Sequence, residues 1–469
     1  MSSIRGEDAL MAQSGSAEDV RSGKRFVYTV ACVAALGGLL FGYDIGIISG
    51  ALLFMENDFP LTPFLTGVVV SSILLGAVIG AGASGVLGDR LGRRKMVLIA
   101  AVIFAVGSVG MGLSPTVGIL IFFRIVTGLA VGAASALVPT YISEIAPTDL
   151  RGSLSSVFQL AITLGIMLAY VVNYALSGAE AWRWMLGLAA VPAVVLFVGM
   201  YLVPETPRWL IKNEFMDQAR AVLRRSRGRQ DVDDEIEEIQ KVEREESQTG
   251  VRELLSPWVR PMLIVGVGLA MLQQFSGINT IIYYAPRVIN NTGLGASASI
   301  LATVGIGAVN VLFTLVAIWL IDKLGRKKLL LAGLTGMTLG TFILGLGFLL
   351  PSLSGIVSWI TLGAMLLYIA SFAASFGPIV WVMLPEIFPL QVRGSGVGAS
   401  SLSNWVANFI VALLFPILIA ALGQTPVFWG LGVICILSMA FVYFVVPETM
   451  GRSLEQIEGD LRQGATATG

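Results

Sequence analysis

One carboxylate stands where carboxylates are rare. Asp44 lies in Leu39-Leu40-Phe41-Gly42-Tyr43-Asp44-Ile45-Gly46, inside an apolar run from about Phe26 to Met55. At about 1.5 Å per helical residue, such a run crosses a hydrocarbon core of about 30 Å and sets Asp44 at membrane depth. An acid there is costly and by default functional. A second charge, Arg124, interrupts Phe122-Phe123-Arg124-Ile125-Val126. Counted from the outer ends of their helices, Arg124 lies about 12 Å deep and Asp44 about 15 Å, so the two can meet. No other acid interrupts an apolar segment of the first half away from its ends, which makes Asp44 the expected partner. Burial disfavours a charged carboxylate and a neighbouring guanidinium favours it, so separating the pair promotes proton uptake. The chain has no histidine, which excludes Ser-His-Asp chemistry, imidazole metal sites and histidine relays. Any proton carrier must be a carboxylate. One proton entering down 100 mV releases about 2.3 kcal/mol, which supports a gradient of about fiftyfold.

Neutral amides offer a second chemistry. Gln159, Gln273, Gln274, Asn279, Asn310, Asn404 and Asn408 all lie in apolar segments. An amide presents donors and acceptors together, which suits neutral hydroxyls, whereas a charged ligand would need countercharges that the second half lacks. Taken singly, each amide is equally explained by a hydrogen bond between helices. Gln273, Gln274 and Asn279 form a cluster, but on a straight helix Gln274 and Asn279 stand about 140° apart. A break near Ser276-Gly277 would bring both to one cavity, as discontinuous helices do in transporters. Trp381, beside Gly377-Pro378, offers an aromatic face for a ring.

The elements that position these residues are membrane helices. Hydrophobic residues make up 55% of the chain and charged residues 13%, against about 25% charged in soluble domains. Twelve apolar segments are expected, near 26–54, 63–87, 96–113, 116–142, 153–177, 183–203, 259–286, 297–321, 328–350, 354–384, 395–421 and 426–446. Arg90, Arg93, Arg94, Lys95, Arg151, Lys323, Arg326, Lys327, Lys328 and Arg393 fall between them on one side and only Arg183 and Arg287 on the other. The positive-inside rule then places both termini in the cytosol. The expected division is a disordered tail (1–25), a six-helix half (26–203), a cytosolic helical linker (204–258), a second six-helix half (259–446) and a tail (447–469). Cys32 and Cys435 form no disulfide framework or metal spacing, so no cofactor is expected, and the zero net charge points to no nucleic-acid partner.

The halves repeat. Gly88-Asp89-Arg90-Leu91-Gly92-Arg93-Arg94-Lys95 recurs as Ile321-Asp322-Lys323-Leu324-Gly325-Arg326-Lys327-Lys328. Glu144-Ile145-Ala146-Pro147 with Arg151 recurs as Glu386-Ile387-Phe388-Pro389 with Arg393, and Pro204-Glu205-Thr206 with Arg208 as Pro447-Glu448-Thr449 with Arg452. These acids and bases are expected to pair across helix ends, latching the cytosolic side when the protein faces outward and separating when it faces inward.

The loop Gly88–Lys95, the stretch Pro139–Gly152, the Pro-Glu-Thr-Pro-Arg of 204–208 and Gln273-Gln274-Phe275-Ser276-Gly277-Ile278-Asn279 resemble the signatures of the sugar porters of the major facilitator superfamily, in that family's order, over roughly 25–455. The resemblance implies an all-α fold of twelve transmembrane helices in two pseudo-symmetric halves, with alternating access and no enzymatic activity. It implies sugar contacts at Gln159, Gln273, Gln274, Asn279, Asn310, Trp381 and Asn404, and aromatic gates or walls at Phe41, Tyr283 and Tyr284. Proton-coupled members carry an acid and an arginine at the positions of Asp44 and Arg124. The expected function is monosaccharide–proton symport by a monomer in a bacterial inner membrane, with glucose or a similar hexose favoured by Asn404. A facilitator, a pentose or polyol symporter and a nontransporting sensor are the alternatives.

Overall fold

The computed structural model describes residues 17–147, 150–246, 254–349, 356–389 and 392–450, the side chains of 17–20, 151–153, 155, 242–246 and 322 excepted. Arg151 and Asp322 of the expected latch therefore lie outside the described side chains. Among the described residues every regular element is helical, and twelve spans are long and apolar enough to cross a membrane. The first six are α1 (Ala17–Asp58), α2 (Pro63–Leu91), α3 (Arg93–Gly112), α4 (Val117–Ile145), α5 (Arg151–Ser177) and the pair α6 (Trp182–Gly187) and α7 (Ala190–Leu202). A polar stretch holds α8 (Pro207–Lys212), α9 (Met216–Arg227) and α10 (Asp233–Glu246). The last six are the pair α11 (Arg260–Phe275) and α12 (Ile278–Ile289), then α13 (Ala296–Leu324), α14 (Arg326–Leu349), the pair α15 (Val357–Ala373) and α16 (Phe376–Ile387), α17 (Arg393–Leu422) and α18 (Gln424–Phe444).

Two boundaries differ from expectation. The first helix begins at Ala17, inside the segment expected to be a disordered tail, because its early turns have a surface to pack on: the Arg225 guanidinium of α9 lies 4.2 Å from the centre of the Phe26 ring. The tenth span, expected to be continuous, breaks at Ser375 (φ −139°, ψ −88°). Helix starts follow local rules. Thr62 and Thr116 accept hydrogen bonds from the amides of Leu65 (3.2 Å) and Ile119 (3.4 Å), and Pro63 occupies a first-turn position where its missing N–H costs nothing.

Packing within the halves depends on small residues that let backbones touch. A Cβ on Gly128 would overlap the carbonyl of Ile73, and one on Gly42 the carbonyl of Ile162, so α2 meets α4 and α1 meets α5 backbone to backbone. Between halves, α2 packs on α17, α5 on α13 and α1 on α12. The side that carries the basic loops is called the basic side below, and the opposite one the far side. On the far side an ion pair joins the halves, Glu56 of α1 to Arg287 of α12 at 2.7 Å.

The linker helices form a small core of their own around Trp209, Leu210, Val222, Leu223 and Ile236. Arg227 fastens it to the first half by donating to the Ile145 carbonyl (2.8 Å) while pairing with Glu235 (2.7 Å).

Candidate functional site

Asp44 and Arg124 are buried, 3% and 0% exposed, but they do not form the expected ion pair. Arg124 Nη2 donates instead to the Val70 carbonyl of α2 at 3.1 Å, leaving Nε and Nη1 without hydrogen-bond partners. Asp44 Oδ1 is likewise unpartnered. The reason is helix geometry. Arg124 lies one turn before Gly128 on the same face of α4, and Gly128 brings the backbone of α2 into contact there, so a peptide carbonyl lies within the guanidinium's reach. Arg124 is the cation that acts on Asp44 through space, and Tyr283 of the second half also lies within range of the carboxylate. Two buried charges held apart, each with unmet hydrogen-bonding capacity, are expensive to maintain. Such a pair can change state.

The amides of the second half are joined in a chain. Gly277 adopts φ +92°, a conformation that side chains resist, and this ends α11 and starts α12 at the position expected for the break. The offset lets Asn279 Nδ2 donate to Gln274 Oε1 at 2.8 Å. Gln274 Nε2 donates to Asn404 Oδ1 (3.1 Å), and Asn404 Nδ2 to Gln273 Oε1 (2.9 Å) and the Ala270 carbonyl (2.8 Å). Gln273 Nε2 then reaches the Phe376 carbonyl (2.8 Å) at the start of α16. Both broken spans of the second half are thus tied together by side-chain amides at their breaks.

Other expected residues are placed less tightly. Asn310 is buried on α13, and Gln159 is half-buried on α5; neither joins the amide chain. Trp381 is 40% exposed on α16. Tyr283 and Tyr284 are buried on α12, Tyr284 stacking on Phe415 with ring centres 5.1 Å apart. Phe41, one turn before Asp44, meets the ring of Trp405 across the halves at 5.2 Å. Trp405 escaped the sequence reading. Its only signal is adjacency to Asn404 in a segment otherwise rich in small residues. An apolar void lined by Gly37, Leu40, Ala100, Phe104 and Leu196 lies inside the first half and is not part of this network.

The repeated charged motifs form two matching arrangements on the basic side. Glu205 accepts from the amide of Arg94 (3.0 Å), capping the start of α3, and Glu448 accepts from the amides of Arg326 (2.9 Å) and Lys327 (3.0 Å), capping α14. The preceding glycines, Gly92 and Gly325, have φ +98° and +86°, and a Cβ on either would crowd the capping carboxylate. Arg93 pairs with Asp89 (2.8 Å) and Glu144 (3.3 Å), and Arg326 pairs with Glu386 (3.1 Å). These ion pairs join helices of one half, and in this conformation they act as ties within each half. Arg393 donates to the Phe388 carbonyl (3.3 Å), Arg208 acts on Glu144 through space, and Arg90 is exposed, apart from the cluster. Burial pushes the Glu205 carboxyl above the ordinary range, against its amide hydrogen bonds and the charges of Arg93 and Arg94.

Comparison with known proteins gives this geometry a family. The profile of the family described as "Sugar (and other) transporter" matches residues 30–461. The chain belongs to the sugar porter family. It is 53% identical to the putative metabolite transport protein YwtG of Bacillus subtilis (strain 168), covering 91% of this chain and 93% of that one. It is 47% identical to the glucose transporter GlcP of Staphylococcus epidermidis, covering 93% and 97%. Among solved structures it is similar to the xylose transporter XylE from E. coli in a partially occluded inward open conformation (TM-score 0.81, 33% identity, 92% of this chain and 100% of that one). It is similar too to XylE, described as a proton:xylose symporter, bound to 6-bromo-6-deoxy-D-glucose (TM-score 0.79, 35% identity, 93% and 99%). The fold is therefore that of the major facilitator superfamily, and the protein is an integral membrane sugar transporter, not an enzyme.

Proposed function

We propose that this protein carries a monosaccharide into the cell together with a proton, by alternating access between its two six-span halves, 26–203 and 259–446. The observation that carries the reading is Asp44, a buried carboxylate with an unpartnered oxygen near an Arg124 whose Nε and Nη1 are also unpartnered. Asp44 shares α1 with Phe41, whose ring meets Trp405, and Trp405 adjoins Asn404 in the amide chain. A change in the charge of Asp44 is thus three residues from the sugar site. In this reading Asp44 is the proton carrier and Arg124 the group that controls its affinity. Gln159, Gln273, Gln274, Asn279, Asn310, Trp381 and Asn404 contact the sugar; Phe41, Tyr283 and Tyr284 wall it in. The amide-to-amide bonds of the chain are replaced by bonds to hydroxyls when sugar enters. Glucose or a similar hexose is favoured by Asn404 and by the relative named as a glucose transporter; pentoses are the competing class, since XylE is named for xylose.

The basic side is cytosolic by the positive-inside rule, with both termini there, in the bacterial cell membrane. The far side, closed by Glu56 and Arg287, is then the outer face, and the conformation is inward-facing. One chain contains a complete pair of halves and works as a monomer. The test is uptake of labelled glucose into proteoliposomes with and without an imposed proton gradient, with xylose and myo-inositol as competitors. Accumulation only with the gradient supports symport. Equilibration without accumulation assigns the chain to the facilitators.

A further inference from the structure

Prolines inside helices leave carbonyls behind. A proline has no N–H to give to the carbonyl four residues earlier, so Pro286 in α12 frees the carbonyl of Ile282, and Pro416 in α17 frees that of Ala412. Both are met by tyrosine hydroxyls from other helices. Tyr284 of α12 donates to the Ala412 carbonyl at 3.3 Å, and Tyr170 of α5 donates to the Ile282 carbonyl at 3.2 Å.

The two bonds differ in what they join. Tyr284 and Ala412 both belong to the second half, so their bond survives any rigid movement of one half against the other. Tyr170 belongs to the first half, and its bond must break if α12 leaves α5. Its ring is seated for this reach. Tyr170 is fully buried and packs on Gly307 of α13, where a Cβ would stand 3.0 Å from its ring. The same short segment of α12 is held a second time by the first half, at Arg287, whose Nη1 lies 2.7 Å from Glu56 Oε1. That pair is about a third exposed on both sides and is the weaker of the two ties, being open to water and salt. The buried carbonyl has no water to fall back on, so losing the hydroxyl is costly.

We propose that Tyr170 is a positioning residue of the outer gate: it clasps the carbonyl that Pro286 frees in α12 and holds this helix, whose first turn carries the proposed sugar contact Asn279, closed against the first half, with Glu56 and Arg287 as an outer catch. The proline makes the clasp reversible. A carbonyl already bonded within its helix would gain little from the hydroxyl, whereas a freed one ties the two halves at a single atom.

The inference rests on the alternating-access reading but is tested without sugar or a proton gradient, so either can fail alone. Spin labels at Leu113→Cys and Leu294→Cys, in a Cys32→Ser, Cys435→Ala background, report the far-side separation of the halves by double electron–electron resonance in liposomes. Both positions are exposed far-side loop or turn residues, one in each half. Tyr170→Phe keeps the ring and removes one hydroxyl, and it should raise the ratio of the longer to the shorter distance about fivefold. Glu56→Gln should raise it less, and more weakly at high salt. In a Pro286→Ala background the helix supplies the missing N–H, so Tyr170→Phe should add little. An unchanged distribution in Tyr170→Phe, or an equal effect of Tyr170→Phe with and without Pro286, would overturn the clasp.

Discussion

The two halves share a sequence plan but handle polarity in opposite ways. In the first half the buried polar centre is charged and incompletely bonded: Asp44 Oδ1, Arg124 Nε and Arg124 Nη1 have no hydrogen-bond partner. In the second half it is neutral, and Gln273, Gln274, Asn279 and Asn404 bond one another and nearby carbonyls. On the basic side the halves remain alike, down to a glutamate capping the third span of each. Duplication has been kept where it holds helices together and abandoned at the two buried polar centres. A charged centre suits an ion and a neutral, donor-and-acceptor centre suits hydroxyls, so in the proposed symport coupling between them passes through the contacts between halves.

The largest expected effect breaks the charged centre. Asp44→Asn should abolish gradient-driven accumulation while counterflow exchange of sugar continues; loss of both would make the carboxylate structural and remove the functional contrast between the halves. Next is the neutral centre. Gln274→Ala removes the side chain that links Asn279 to Asn404 and should raise the half-saturation concentration about tenfold or more, with the proton dependence of uptake unaltered. An unchanged affinity in equilibrium binding would exclude Gln274 from the site. The shared caps give a smaller effect. Gly92→Ala and Gly325→Ala each place a Cβ at positive φ against a capping glutamate, and each should cost about 1–2 kcal/mol in thermal stability. A large inequality between them would show that the basic side is less symmetric than its geometry.

The smallest effect concerns the linker, which only the first half carries. Burial opposes ionisation of Glu235, but hydrogen bonds and charge from Arg227, with Arg229, outweigh it and hold the carboxyl below the ordinary range. A lowered acid contributes stability above its unfolded pKa of about 4.3, and that contribution is lost as pH falls through the folded value. Protection against hydrogen exchange in α9 and α10, relative to the intrinsic rate at each pH, should therefore be steady from neutral pH down to about 4, falling only below it, and Glu235→Gln should weaken docking by under about 1 kcal/mol. Protection that already falls near pH 6 would point to another group.

Much of this was legible in the residues. Hydropathy located all twelve spans, ten of them to within a few residues and the first and seventh cut short at one end, and the paired motifs announced the duplication, because a membrane demands long apolar helices and a repeat preserves its helix ends. The geometric conflict between Gln274 and Asn279 located the break that φ +92° at Gly277 produces. Single-helix reasoning failed where a partner lies on another helix. It paired Arg124 with Asp44 by depth, but the guanidinium turns to the Val70 carbonyl that close glycine packing brings near. It missed the break at Ser375, although Gly377-Pro378 follow it directly, and Trp405, which matters only because Phe41 crosses from the other half.

Composition and periodicity by themselves determined that this chain lies in a membrane, that it is two related halves, and that its apolar segments carry, away from their ends, the acid Asp44, the base Arg124 and a set of amides. Those properties are local: each follows from how a single segment meets lipid or water. Tertiary structure decided which of these groups bond and which are left wanting, because a hydrogen bond depends on the atom that packing brings within about 3 Å. The freed carbonyl of Ile282 shows both. Its vacancy is written in Pro286, and its partner, Tyr170, is known only from the packed halves.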